Sequence, residues 1–86
     1  MDIQQKLALN LRRIRVAKNI SQDELALRAG VERAYVGHIE RGTKNPTIKT
    51  VEKLSEALEC AASELLADIE KGEEAVNTLA PGRKGR

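Results

Sequence analysis

The sequence predicts an all-α domain, a compact five-helix bundle that contains a helix-turn-helix. Its apolar residues are mainly Leu, Ile, Val and Ala at helical spacing, proline occurs only at positions 46 and 81, and no stretch alternates polar and apolar residues over the length of a strand. From Ser21 to Gly42, the pattern is typical of two short helices joined by a tight glycine turn. The 86 residues are enough for one modest core, but not for a deep catalytic cleft plus a cofactor-binding unit.

The first helix is predicted over about residues 3 to 18. One stripe of it carries the apolar residues Ile3, Leu7, Leu11, Ile14 and Ala17. Arg12, Arg13 and Lys18 lie largely outside this stripe, and Asn19 is the expected stop.

The second helix should begin at Gln22, because Ser21 and Glu24 have the spacing of a capping box, in which each side chain accepts the backbone amide of the other residue. One side of this helix carries the small or apolar residues Leu25, Ala26 and Ala29. Gly30 follows, and glycine adopts at least cost the positive φ that ends a helix in a sharp turn. The next helix should therefore leave at a steep angle.

The third helix is predicted over about Arg33 to Glu40. Val36 and Ile39 are three residues apart and should face inward together with Val31. The outward positions are Arg33, Ala34, Gly37, His38 and Arg41. This small, polar outer face suits insertion into DNA.

A loop should follow, since Gly42 ends the third helix and Pro46 prevents an early restart. Thr47 or Asn45 can cap a fourth helix over about residues 48 to 58. Its expected inward residues are Ile48, Val51, Leu54 and Leu58. A fifth helix should begin near Ala61 or Ala62 and carry Leu65, Leu66 and Ile69.

The domain is predicted to span residues 1 to 70, followed by a C-terminal extension over residues 71 to 86. Beyond Gly72 the helical pattern weakens. Val76 and Leu79 are three apart, so this stretch either prolongs the fifth helix or is frayed. The final PGRKGR is expected to be disordered, as an inert tail or a weak electrostatic arm on DNA.

Positive charge is concentrated around the two-helix unit. Residues 12 to 49 contain nine Lys or Arg against four Asp or Glu, whereas residues 50 to 80 contain two against eight. Such a basic region is typical of a surface that faces phosphates, although any one of these residues also fits an ordinary solvated position.

Composition argues against several other classes of protein. One Tyr with no Phe or Trp is a poor basis for stacking single-stranded bases. One Cys and one His provide no disulfide, no zinc set and no nucleophile with its base, so we expect no enzyme, metal or cofactor, and Cys60 to fill the core. No signal peptide or membrane segment is evident, which favours a cytoplasmic location.

Several motifs together resemble the helix-turn-helix regulators that include phage repressors and Cro, especially the controller proteins of restriction-modification systems. The similarity covers about residues 7 to 66, and its motifs are NLRRIR, SQDELA, VERAYVGHIERG, NPT and the passage from ALEC to ELL. The resemblance implies a lambda repressor-like DNA-binding domain. It also implies a structural pair between Arg15 and Glu40 that bridges helices one and three.

The resemblance assigns roles in DNA binding to named residues. Arg33 matches the principal base-reading position, where a guanidinium fits guanine O6 and N7 in the major groove, and Ala34 and His38 are further base-contacting candidates. The residues implied to contact the sugar-phosphate backbone are Gln22, Tyr35, Arg41, Lys44 and Asn45. Three of these residues also fit roles without DNA contact. Arg33 and His38 would then be ordinary surface residues, and Tyr35 would cover the edge of the core.

The function implied is a transcription regulator, by default a repressor, that binds a pseudo-palindromic operator on double-stranded DNA as a homodimer. Leu65, Leu66 and Ile69 are the expected dimer interface, unless they are plain core residues. No small-molecule ligand is evident. The alternative is an antitoxin or adaptor whose acidic later helices bind another protein. Glu32 and Ala61 depart from the family pattern, because neither side chain is a good N-cap.

Overall fold

The computed structural model describes residues 1 to 69, and this part of the chain is built from helices and loops without a strand. The helices found there are α1 (Ile3–Ala17), α2 (Gln22–Ala29), α3 (Arg33–Glu40), α4 (Ile48–Leu58) and α5 (Ala62–Leu65). The all-α prediction is confirmed, and α3 and α4 have the predicted bounds. The predictions for residues 71 to 86, including the extension through Val76 and Leu79, lie outside the described residues.

One apolar core joins all the described helices. Its fully buried side chains come from every helix in turn, and the largest are Leu11, Leu25, Ile39, Leu54, Leu58 and Leu65. Burying a leucine or isoleucine contributes about 1.5–3 kcal/mol relative to leaving it exposed, so this set dominates the stability of the fold. Helix α2 packs against α3 and α4, while α1 packs against α3 and α5.

The turn between α2 and α3 follows the local signals. Gly30 adopts the left-handed conformation at φ 72°, and the amide of Val31 bonds back to the carbonyl of Ala26 at 3.0 Å. At the start of α2, Ser21 Oγ accepts the amide of Glu24 at 3.0 Å, but the Glu24 carboxylate binds Arg28 Nε at 2.8 Å. The predicted capping box therefore forms only in its serine half. A complete box occurs instead at α1, between Asp2 and Gln5.

Three residues expected on the inner stripes are exposed. Ile3 is 56% exposed and Ile48 is 81% exposed, and Ala17 also lies at the surface. Ile3 and Ile48 are the first residues of α1 and α4, and both line a shallow groove with Leu66. Helix α5 has only four residues. It is therefore too short to cover Ile3 and Ile48 at this end of the core.

Asn10 is a buried polar residue that the apolar pattern does not predict. Its side chain is almost fully buried in α1, and Nδ2 donates to the carbonyls of Leu65 at 3.1 Å and Ala67 at 2.9 Å. Its Oδ1 accepts from Arg13 Nη2 at 3.0 Å. Asn10 thus satisfies the carbonyl of the last residue of α5 and a second carbonyl just after that helix.

We predict that Asn10→Asp lowers the free energy of unfolding by about 1–3 kcal/mol, because the buried carbonyl of Leu65 and the part-buried carbonyl of Ala67 lose their donor and meet a carboxylate oxygen instead. Urea denaturation at one fixed protein concentration measures the change. Asn45→Asp makes the same chemical change at an exposed position and should have little effect on stability. Equal losses in the two variants would contradict this role for Asn10.

Candidate nucleic-acid interface

A buried ion pair fixes α3 to α1. Arg15 Nε lies 2.6 Å from Glu40 Oε2, and Arg15 Nη2 donates to Glu40 Oε1 at 3.0 Å. The two side chains are only 12% and 4% exposed. Arg15 Nη1 also donates to the carbonyl of Ile20 at 2.7 Å, just before α2. The structural bridge that the sequence predicted between Arg15 and Glu40 is therefore confirmed, and it extends to the start of the helix-turn-helix.

Gln22, predicted as a phosphate contact, belongs to the same network. It is the first residue of α2, is half-buried, and donates from Nε2 to Glu40 Oε1 at 2.9 Å. Its amide nitrogen is thus engaged inside the protein. The contact with phosphate stays a prediction, and its strongest donors are the free backbone amides at the start of α2.

Gly37 is buried, so its predicted place on the outer face of α3 is wrong. The Arg41 guanidinium folds back over it: a Cβ at position 37 would lie 3.2 Å from Arg41 Nη1 and 3.8 Å from Gln22 Oε1. The glycine therefore makes room for a neighbouring arginine in this conformation, which accounts for a residue that costs about 1 kcal/mol against alanine within a helix.

The outer surface of α3 contains the three predicted base-contacting residues. Arg33 and Ala34 are exposed, while Tyr35 and His38 are half-buried. Ala34, Tyr35 and His38 line one shallow depression together with Lys44 and Glu32. Tyr35 also packs against the edge of the core. This structural role is compatible with its predicted contact with the DNA backbone.

His38 lies at the centre of a small polar cluster. Its Nδ1 is 3.0 Å from Arg41 Nη2 and 3.2 Å from Thr43 Oγ1, and Thr43 Oγ1 also donates to the carbonyl of His38 at 3.1 Å. Arg41, Lys44 and Asn45 follow α3 as exposed residues of the loop. Arg41 and Lys44 thus lie beside the outer face of α3, whereas Asn45 lines the groove that contains Ile3 and Ile48.

Asp23 was not predicted to belong to this surface. It lies in the first turn of α2, and its Oδ1 is 3.1 Å from Nε of Arg33, the first residue of α3. The two side chains are 80% and 61% exposed. The sequence signal was too weak to find this pair, since an acidic residue there also suits the helix dipole. Glu32 makes no side-chain cap at α3, in agreement with its departure from the family pattern.

The predicted dimer residues divide into two kinds. Leu65 has no exposed surface and belongs to the core of its own chain, so it has no surface to offer a partner. Leu66 and Ile69 are half-buried, and Leu66 lines the groove with the exposed Ile3 and Ile48. These two isoleucines were missed because their spacing fitted the inner stripes.

Two groups with shifted pKa values lie outside this surface, at Cys60 and Asp68. Burial raises the pKa of Cys60, with a smaller contribution from Glu64, so this half-buried thiol is a poor nucleophile near neutral pH. A hydrogen bond from Lys6 lowers the pKa of Asp68.

Within residues 1 to 69, no three His, Cys, Asp or Glu side chains converge to hold a metal ion, and no helix is long and apolar enough to cross a membrane.

Comparisons with known proteins agree on one family. Residues 11–65 match the family model HTH_3, a helix-turn-helix. The control protein C.SmaI of Serratia marcescens is 41% identical over 66 residues, which span 77% of this chain and 79% of that protein. Among solved structures, the hypothetical transcription factor NHTF from Neisseria has a TM-score of 0.74 at 42% identity, covering 77% of this chain and 76% of its own. The restriction-modification controller protein C.AhdI from Aeromonas hydrophila has a TM-score of 0.70 at 40% identity, covering 72% and 94%.

We predict that Glu40→Gln lowers the free energy of unfolding by about 3–5 kcal/mol, because it leaves the buried Arg15 guanidinium without its counter-charge. Glu24→Gln removes the same charge from a half-exposed ion pair with Arg28 and should cost about 1 kcal/mol or less. Guanidinium denaturation of both variants measures the difference. Similar losses would show that the Arg15–Glu40 pair has no special role in stability.

Proposed function

The chain belongs to the helix-turn-helix family HTH_3, and from this membership and the surface of α3 we propose that it is a sequence-specific transcription regulator of double-stranded DNA. It binds a pseudo-palindromic operator as a homodimer, with α3 of each subunit in successive major grooves. Repression through operator occupancy is its default effect. We assign it to the cytoplasm, where its target DNA lies, and assign it no catalytic step or cofactor.

The observation that carries this proposal is the presentation of Arg33. It is the first residue of α3, its side chain is 61% exposed, and the helix beneath it is anchored through the buried Glu40. A guanidinium at the start of a recognition helix can donate to both O6 and N7 of guanine, the commonest specific contact in the major groove. Ala34 offers a methyl group to thymine, and His38 is placed one turn further along.

Residues proposed to contact the DNA backbone lie on either side of these base-contacting residues. The exposed Arg41, Lys44 and Asn45 lie on the loop after α3, and the free amides at the start of α2 lie before the turn. With Tyr35 and Gln22, they would hold phosphates on either side of the groove and set the register of α3. The concentration of basic residues over positions 12 to 49 supports the same assignment.

A second copy of the chain supplies the other half of the binding surface. One eight-residue recognition helix offers too few base contacts for tight specific binding. The groove of exposed Ile3 and Ile48 with half-buried Leu66 is the apolar surface that such a dimer would cover. The other predicted interface residue, Ile69, is half-buried three residues after Leu66. Charged residues of both signs adjoin the groove residues in sequence, in the ion pairs Lys6–Asp68 and Lys49–Glu52, which suits the self-complementary contact of a two-fold dimer.

Control of a restriction-modification system is the more specific role that we propose. C.AhdI is a restriction-modification controller protein and C.SmaI is a control protein, and this chain spans 94% and 79% of their lengths. The high coverage supports this comparison over most of each relative's length.

Selection of bound duplexes from a random pool, at two salt concentrations, tests the operator. We expect the native chain to enrich an inverted repeat with half-sites about one helical turn apart, and Arg33→Ala to lose or relax the preference at one position of each half-site. A lost guanine contact corresponds to about 1–3 kcal/mol of discrimination. Salt-sensitive binding without sequence preference in both proteins would overturn the operator assignment and favour the antitoxin or adaptor reading, in which the main partner is a protein.

Sedimentation velocity tests the dimer surface. We expect Ile48→Glu to sediment as a monomer under conditions where the native chain is a dimer, because the dimer would have to bury an unpaired carboxylate. Leu27→Glu is the matched control: Leu27 is 77% exposed on α2 and should leave the dimer intact. A native monomer, or a dimeric Ile48→Glu, would contradict the assignment of this groove.

A further inference from the structure

We propose that Asp23 is a specificity-determining residue, which holds the Arg33 guanidinium toward a guanine edge and away from phosphates. The inference rests on the proposed function and extends it to a residue outside the recognition helix. Its basis is the 3.1 Å approach of Asp23 Oδ1 to Arg33 Nε, which joins the first turn of α2 to the first residue of α3.

The atoms used by this pair leave the reading end of arginine free. The ion pair that joins the two side chains approaches Arg33 at Nε. A guanidinium also has donors on both terminal nitrogens, and these can be directed toward DNA. Guanine needs two parallel donors for O6 and N7. Arg33 can therefore pair with Asp23 and bind a guanine at the same time, with the charge of the carboxylate restraining the position of the guanidinium.

Stability does not account for the pair. Both side chains are mostly exposed, at 80% and 61%, and exposed ion pairs contribute little to folding. The position also disfavours general DNA affinity, since a carboxylate beside the major groove repels phosphates. An acidic side chain here suits the dipole of α2 but opposes binding to every DNA sequence. Its benefit to DNA recognition is therefore to orient the arginine.

Removing Asp23 should have two opposite effects. A released Arg33 can swing to the nearest phosphate, a contact that carries no sequence information. Loss of the negative charge strengthens this binding further. We therefore expect Asp23→Asn to bind unrelated duplexes more tightly while it discriminates less between the operator and an operator with the Arg33-contacted base pair replaced.

The experiment compares dissociation constants for these two duplexes across a set of variants. For native protein, we expect a discrimination ratio of about 5- to 150-fold, the range for one bidentate base contact. Asp23→Asn should reduce this ratio severalfold, and should reduce it no further when Arg33 is already alanine. Glu24→Gln removes the same charge from the adjacent residue, whose partner Arg28 is on α2 itself, and should keep the native ratio. Circular dichroism melting confirms that each variant is folded.

The possible results separate the two proposals. If the native ratio is one, the operator-binding function fails and this inference fails with it. If native protein discriminates and Arg33→Ala does not, but Asp23→Asn keeps the native ratio, the function stands and the role of Asp23 is overturned. An equal drop in Glu24→Gln, or a further drop in the double variant, would also overturn it, because the effect would then be general charge or act through another residue.

Discussion

The orientation of the recognition surface depends on one buried carboxylate. Glu40, at the end of α3, accepts hydrogen bonds from Arg15 on α1 and from Gln22 on α2. A buried charge is tolerated only when paired and hydrogen-bonded, and here the partners come from two other helices. Helix α3 has eight residues and no side-chain N-cap, so it has little stability of its own. Its position is therefore set from outside, by this network and by the buried Val36 and Ile39.

Local chemistry made much of the fold predictable from the sequence. Gly30 and Thr47 give direct signals for a turn and a cap, and the structure places both as expected. Longer-range effects were not accessible in this way. Glu24 satisfies the spacing of a capping box, but Arg28 one turn later competes for its carboxylate. Ile48 fits the stripe of α4, yet its burial depends on whether another helix reaches that end.

The same distinction holds within the candidate site. The exposure of Arg33 and Ala34 follows from their register on α3, so periodicity predicts it. Gly37 was predicted to be exposed, but it is buried because the side chain of Arg41 covers it. Asp23 and Arg33 meet only through the angle between two helices, which no local pattern encodes. Asn10 is a further case, since the two carbonyls to which it donates lie 55 and 57 residues away.

The cluster around His38 has a consequence for what α3 presents to its surroundings. Thr43 has a single hydroxyl proton, and when that proton goes to the His38 carbonyl, Oγ1 can only accept from a protonated Nδ1. Arg41 can only donate, so its contact requires Nδ1 to be bare. In the neutral ring the two contacts exclude each other, and each selects a different tautomer. With Arg41 in place, Nε2 carries the hydrogen and acts as a donor; if Arg41 leaves and Thr43 keeps Nδ1, Nε2 becomes an acceptor. While Thr43 donates to the His38 carbonyl, the position of Arg41 thus decides whether Nε2 of His38 donates or accepts a hydrogen bond.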